Sequence, residues 1–521
     1  YFDMRIRLSL GNLLFALFVF AASASAKVRV EGVLFLDVNG NGIQEKTEVG
    51  IKNIPVSNGI DIVLTDSQGK YQMDCSSRTS VFPILPSGYS FSNRKTNVPN
   101  ANFRFVEEPS EKPISICFGL QPQAVKQKYS FSAVGDIQMK DADEMAYATG
   151  SVGAELAALP SNDLHIMLGD LVNDDPSLFP IAKQLFDCFA SPTWTVYGNH
   201  DRDVLDSTTS DASYRRFFGA STYAFNRNNT HFLVLNNMLP KGRYGYESLL
   251  PEEGLVFVKN DLKFVPKDRL IVISLHGPLA FTRNRDRLLD LLSGRKHVLV
   301  LSGHIHTVAR FFHRNDVGVI PEIGVGASCG MWWTGEKNEM GIPSALMQCG
   351  SYPNYFRIHV AGNQFTFDYK AVGRDASCQM EAWVDPFAPN ERGFVSSDST
   401  QIVVNVFGGS DSTQVFCQID SIPVAEMRKA ELISPNVLRM IELYEKKVYP
   451  TSGNTRSPLR KRPSPHIWQL ILPKLNPGVH LLKIDAKDEY GLCVKALKTI
   501  FIPQDKKKDA AGNKLGVDVG D

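Results

Sequence analysis

"FSAVGDIQMKD", residues 131–141, is an apolar run that stops at Gly135 and Asp136, with Gln138 two positions on. A short apolar run closed by Gly-Asp reads as a buried strand entering a loop, and a carboxylate there is either a turn residue or a ligand. Four other strand-like runs end in the same manner: "LHIMLGD" at Asp170, "TWTVYGN" at Asn199, "LIVISLHG" at His276, and "HVLVLSGHIH" at His304 and His306. Loops at the carboxyl ends of strands in an α/β sheet converge on one place, so five such endings argue against a chance collection of turns. Helix-like stretches such as "DEMAYATGSVGAELAAL" and "PSLFPIAKQLFDCFA" separate the strands, and the alternation over residues 129–372 predicts an α/β layered domain.

The residue types point to a metal. A two-metal hydrolytic centre needs a carboxylate between the ions, separate ligands on each side, and room for water and substrate. Imidazole and carboxylate together suit Mn, Fe or Zn better than Mg or Ca.

In order along the chain, Asp136 with Gln138, "GD" at Asp170, "GNHD" from Gly198 to Asp201, His276 and "GHIH" ending at His306 resemble the calcineurin-like metallophosphoesterases. The flanks, "VEGVLFLDVNGNGI" before and "GASCGMWWTGE", "GIPSALM" and "YPNYFRIHV" after, are similar to a three-domain secreted bacterial branch of that family. The resemblance implies a multidomain chain. A four-layer α/β core, two mixed sheets flanked by helices, would stand between an N-terminal prealbumin-like β-sandwich and a C-terminal mainly-β domain. It also implies roles. Asp136 and His306 would hold a first ion, with Gln138 where the family usually has His; Asp170 would bridge; Asn199, His276 and His304 would hold the second. His200, next to a ligand, would serve as general acid or charge stabiliser, with Asp201 the second catalytic candidate. The expected substrate is a phosphorylated small molecule or nucleotide, cleaved as a phosphomonoester or phosphodiester. A pyrophosphate or nucleotide bond on the same site, or a surface or glycan-binding protein with a degenerate site, are the alternatives.

Domain boundaries follow from texture. Residues 27–122 are short strands and turns, 123–374 the α/β domain, 375–503 mainly strands with one helix, "SPNVLRMIELYEKKV", and 504–521 a polar, disordered tail, while the polar stretch "QPQAVKQK", 121–128, reads as a linker between the first two. Residues 1–26 have Arg5 and Arg7, an apolar segment, then Ala24 and Ala26, the layout of a cleaved signal peptide. That predicts a secreted or periplasmic protein without a transmembrane anchor, in a disulfide-permissive compartment for its eight cysteines, whose pairing the spacing leaves open. With 56 basic and 55 acidic residues, no nucleic-acid partner is expected, and the oligomeric state is left open.

Other positions keep two readings. Asp37 to Glu48, "DVNGNGIQEKTE", fits a Ca²⁺ loop, while a hairpin turn at Asn41-Gly42 explains the same residues. Trp332 and Trp333 are a substrate platform or a domain contact, and Arg283 and Arg285 a phosphate clamp or a solvated loop. Asp174 is a candidate supporting partner of the site. His165, His231 and His297 sit in or beside strands and read as structural.

Overall fold

The computed structural model describes residues 27–502 except 77, 93–95, 109, 160–161, 204–209, 243–244, 385–398 and 447–457. The expected signal peptide and the whole of the expected tail therefore lie outside the described residues.

In the N-terminal part, Lys27–Leu36 pairs antiparallel with Lys70–Ser76; the latter alternates exposed and buried positions throughout and the former over its first five residues, as half-buried strands do. A second sheet of Ile62–Leu64, Pro55–Ser57, Thr79–Pro83 and Arg104–Val106 accompanies it. The Asp37–Glu48 loop closes on itself. Asp37 accepts backbone N–H bonds from Gly40, Asn41 and Gly42, and Glu48 accepts them from Val38 and Glu45.

The core holds two mixed sheets. In one, Lys128–Val134, His165–Met167 and Thr193–Thr195 run parallel, and Lys128–Val134 continues antiparallel to Asn354–Ala361 and then Gln364–Ala371. In the other, Thr230–Val234, Leu270–Ser274, Val298–Ser302 and Gly318–Val325 run parallel between two antiparallel edges, Tyr223–Arg227 and Val308–Asn315. The parallel strands are almost continuously buried, which explains why they read as unbroken apolar runs. Helices such as Phe179–Asp187 and Glu252–Asp261 fill the crossovers.

Two local expectations change. The long helix expected from residue 143 is interrupted: Ala142–Ala148 widens at Thr149–Gly153 before Ala154–Ala157. Gly150 and Gly153 weaken that turn, while Thr149 and Ser151 bond back to the carbonyls of Met145 and Tyr147. The expected linker at 121–128 shortens, because Phe118–Pro122 and Lys128–Val134 are both strands.

The C-terminal part has two four-stranded sheets and the helix Pro435–Glu445. It is joined to the core through a buried ion pair, Arg310 to Asp488 at 3.5 Å, with the Arg310 guanidinium 4.6 Å above the Phe367 ring. No described helix is long and apolar enough to cross a membrane.

Candidate metal centre

The five strand ends meet between the two sheets. Asp136, Asp170 and Asn199 come from the first sheet, and His276, His304 and His306 from the second. Nε2 of His276 lies at the centre of this convergence, 3.1 Å from Asp170 Oδ2, 3.1 Å from Asn199 Oδ1 and 3.3 Å from His304 Nδ1. Its other nitrogen, Nδ1, donates to the Leu168 carbonyl at 2.7 Å, which turns Nε2 inward. His306 is oriented the same way: Nδ1 donates to the Gly330 carbonyl, and Nε2 stands 3.7 Å from Asp136 Oδ1. Asp136 also lies 4.0 Å from His276 and accepts the His304 backbone N–H.

Backbone strain marks the same residues. Asp136, Gln138, Asp170, His304 and His306 all have positive φ, between 31° and 72°. Each such non-glycine conformation costs about 1–3 kcal/mol and persists only where the surroundings enforce it. Close approach explains the glycines of the motifs. A Cβ on Gly198 would fall 2.3 Å from Asp170 Oδ1, and one on Gly303 2.5 Å from Asp136 Oδ2.

The electrostatics call for cations. Asp136 and Asp170 are buried, and neither is paired with a lysine or arginine among the described residues. Burial pushes Asp136 well above the usual carboxylate range. Burial opposes the charged form of Asp170 and His276 as well, but their mutual attraction prevails, lowering Asp170 and raising His276 to about 10. His304 and His306 are held neutral, at about 3 and about 4, chiefly by burial, and neutral imidazole is the form that ligates metal.

Gln138 lies in the same cleft, buried, its Nε2 donating to Asn173 Oδ1 at 3.3 Å and its Oε1, a neutral oxygen donor, accepting only a long contact from the Cys329 thiol at 3.9 Å. His200 also lines the cleft; its backbone N–H donates to Asp170 at 2.9 Å, and its Nδ1 stands 3.0 Å from Asp174. Asp201, the second catalytic candidate, is fully buried and is not among the residues lining the cleft; it accepts backbone N–H bonds from Leu171 and Val172 at Oδ1 (2.7 and 3.2 Å) and from Gly198 at Oδ2 (2.9 Å). Burial and the nearby Asp170 raise it to about 8. Its work is to tie the Asn199 loop to the Asp170 loop.

Several contributors were not assigned from sequence. The Tyr246 hydroxyl, on the hairpin Met238–Lys241 and Gly245–Ser248, meets Nε2 of His304 at 2.7 Å. Arg460 and Arg462 line the cleft from far along the chain. The tandem tryptophans divide their roles. Trp333 is buried, donating to the Ile137 carbonyl at 3.1 Å, while Trp332 is 45% exposed with its ring centroid 4.9 Å from that of His306. Arg283 and Arg285 do not line the cleft; Arg283 pairs with Glu247, and Arg285 donates to the Ala280 carbonyl. His231 pairs with Asp261 and His313 with Glu322, both buried structural contacts. All eight cysteines are free thiols.

Three family models match consecutive stretches of the chain. They are described as the N terminal of calcineurin-like phosphoesterase over residues 37–123, calcineurin-like phosphoesterase over 129–308, and the C terminal of calcineurin-like phosphoesterase over 322–492. Among curated proteins, no match was found. Of solved structures, the spore cortex lytic enzyme SleM of Clostridium perfringens is 9% identical over 73% of this chain and 100% of that one, with a TM-score of 0.14. A glycosyl hydrolase family 2 member from Bacteroides cellulosilyticus is 8% identical over 91% and 74%, with a TM-score of 0.17. Similarity of that size carries no argument about fold or activity.

Proposed function

The chain belongs to the calcineurin-like phosphoesterase family and is a metal-dependent phosphoesterase, and from that premise we propose that it uses two divalent ions to hydrolyse a phosphate monoester or diester. One observation carries the metal reading: His276 Nε2 lies within 3.3 Å of donors from Asp170, Asn199 and His304, in a buried pocket whose carboxylates have no lysine or arginine partner among the described residues, and the second ion is proposed on the adjoining pair of Asp136 and His306, 3.7 Å apart. Asp136, Gln138 and His306 would hold the first ion, Asn199, His276 and His304 the second, with Asp170 shared. The donor set favours Mn, Fe or Zn. Bound there, such ions polarise the phosphoryl group and activate the attacking water.

The chain's own groups do the rest. Asp174 faces Nδ1 of His200, which leaves Nε2 to deliver a proton to the leaving oxygen as its bond to phosphorus breaks. Tyr246 fixes the ring of His304 through Nε2, so that Nδ1 faces the other donors. Asp201 keeps two ligand loops in register. Export completes the proposal, supported by the charge and apolar pattern of residues 4–26; amino-terminal sequencing of the mature protein should begin at Lys27.

Asp170→Asn tests the assignment of the shared ligand. Losing a group common to both ions should exceed the 10–100-fold effect of a supporting partner, so turnover should fall about 100-fold or more. Full activity in that variant would remove Asp170 from the centre.

A further inference from the structure

The outer wall of the cleft comes from a different part of the chain from the donors. The cavity measures about 450 Å³, and beside the metal-competent residues it is lined by Trp332, Gln348, Arg460 and Arg462. Leu459 decides where the arginines stand. It is buried in a small separate hydrophobic cluster with Met331 and Leu346 of the core and Val437 and Ile441 of the helix Pro435–Glu445. Arg460 and Arg462, beyond it, stay exposed.

The backbone there is pinned to the core. The Arg460 N–H donates to Gln348 Oε1 at 2.8 Å, and Gln348 Nε2 returns a bond to the Arg460 carbonyl at 2.6 Å. The Ser464 hydroxyl donates to the Cys349 carbonyl at 2.9 Å. Two guanidinium groups are thus held at the mouth of a cleft whose sole carboxylate among the described lining residues, Asp170, is buried at the floor. The Arg462 side chain has no ion-pair partner among the described residues. Trp332, another lining residue, holds φ at 53°, a conformation a bulky residue adopts only under constraint.

We propose that the substrate carries a second phosphoryl group beyond the one presented to the metal ligands, that Arg462 with Arg460 binds that second group, and that a planar ring of the substrate lies on Trp332. That is the profile of a nucleoside diphosphate; the assignment rests on the metal-dependent hydrolase reading above and puts a phosphoanhydride, in place of a simple ester, at the metal ligands. Guanidinium forks match phosphate oxygens in pairs, and an exposed indole face beside the site accepts a stacked ring. In the reaction, the oxygen of water bonds to the terminal phosphorus and the bond from that phosphorus to the bridging oxygen breaks. The departing nucleoside monophosphate takes its proton from His200, and its remaining phosphate is the group held by the arginines.

The test uses the full chain supplied with Mn²⁺ and compares kcat/KM for ADP with that for p-nitrophenyl phosphate, which lacks the second phosphate. Wild type should prefer ADP. Arg462→Ala should lower the ratio about tenfold or more, mainly through KM, with Arg462→Lys retaining part of it. Trp332→Ala should lower the rate on ADP relative to inorganic pyrophosphate, which has no ring. A wild-type preference for the monoester, or ratios in Arg462→Ala and Trp332→Ala equal to wild type, overturns the inference. Metal content measured on each variant separates a lost contact from a lost fold. Failure of wild type to hydrolyse any of these phosphate compounds would instead count against the hydrolase reading itself.

Discussion

Gln138 is the residue that departs most from its neighbours, a neutral amide among carboxylates and imidazoles. An amide oxygen is a weaker and harder donor than imidazole, so the ion beside it should bind less tightly and be more readily Mn²⁺ than Zn²⁺. Gln138→His should strengthen that ion by about tenfold and tilt preference towards Zn²⁺, as read by metal titration; unchanged affinity and preference would exclude Gln138 as a ligand. Tyr246→Phe removes a single hydroxyl from His304 and should weaken the other ion by about 10-fold at unchanged melting temperature. The proposed ligands are legible in sequence because each closes an apolar run. Asp201 adjoins His200 in sequence, but what its carboxylate meets, three backbone amide groups of the Asp170 and Asn199 loops, is not legible there.

Parallel strands buried on both faces explain why the core was readable and why one of its histidines limits acid stability. His165, in the strand His165–Met167, is fully buried, and neither ring nitrogen has a hydrogen-bond partner among the described residues. Burial alone lowers it to about 4. The unfolded chain takes up that proton near pH 6.5 and the folded chain does not until near pH 4. Stability from this group is therefore intact above pH 6.5 and falls as pH drops through that window, by about 3 kcal/mol in all. Denaturation midpoints at pH 7 and pH 5 should diverge less in His165→Leu than in wild type; an equal divergence would place the acid sensitivity elsewhere. Hairpins and glycine-weakened helices were harder to read. Tyr246 reaches His304 across 58 residues of sequence, and no local periodicity encodes that contact.

Across the whole molecule, the three parts share one continuous hydrophobic core, with a smaller cluster under the cleft wall. The expected divisions rest on sequence texture, in which strand-rich and alternating regions differ. The contacts between them were not legible, since Gln348 meets Arg460 across 112 residues and Arg310 meets Asp488 across 178. The latter pair is fully buried, so Asp488→Ala would leave an uncompensated guanidinium and should cost about 3–5 kcal/mol, seen as a lower melting temperature. A melting temperature within about a degree of wild type would show that the Gly408 and Tyr490 carbonyls and the Phe367 ring suffice for Arg310. All of this architecture serves to hold five strand-end loops around one buried, cation-seeking pocket. The most direct test is metal content by elemental analysis together with turnover of a phosphomonoester, before and after chelation. The account predicts about two divalent ions per chain, loss of turnover when they are removed, and recovery when Mn²⁺ is returned. Full turnover in protein holding fewer than about one ion per chain would contradict it.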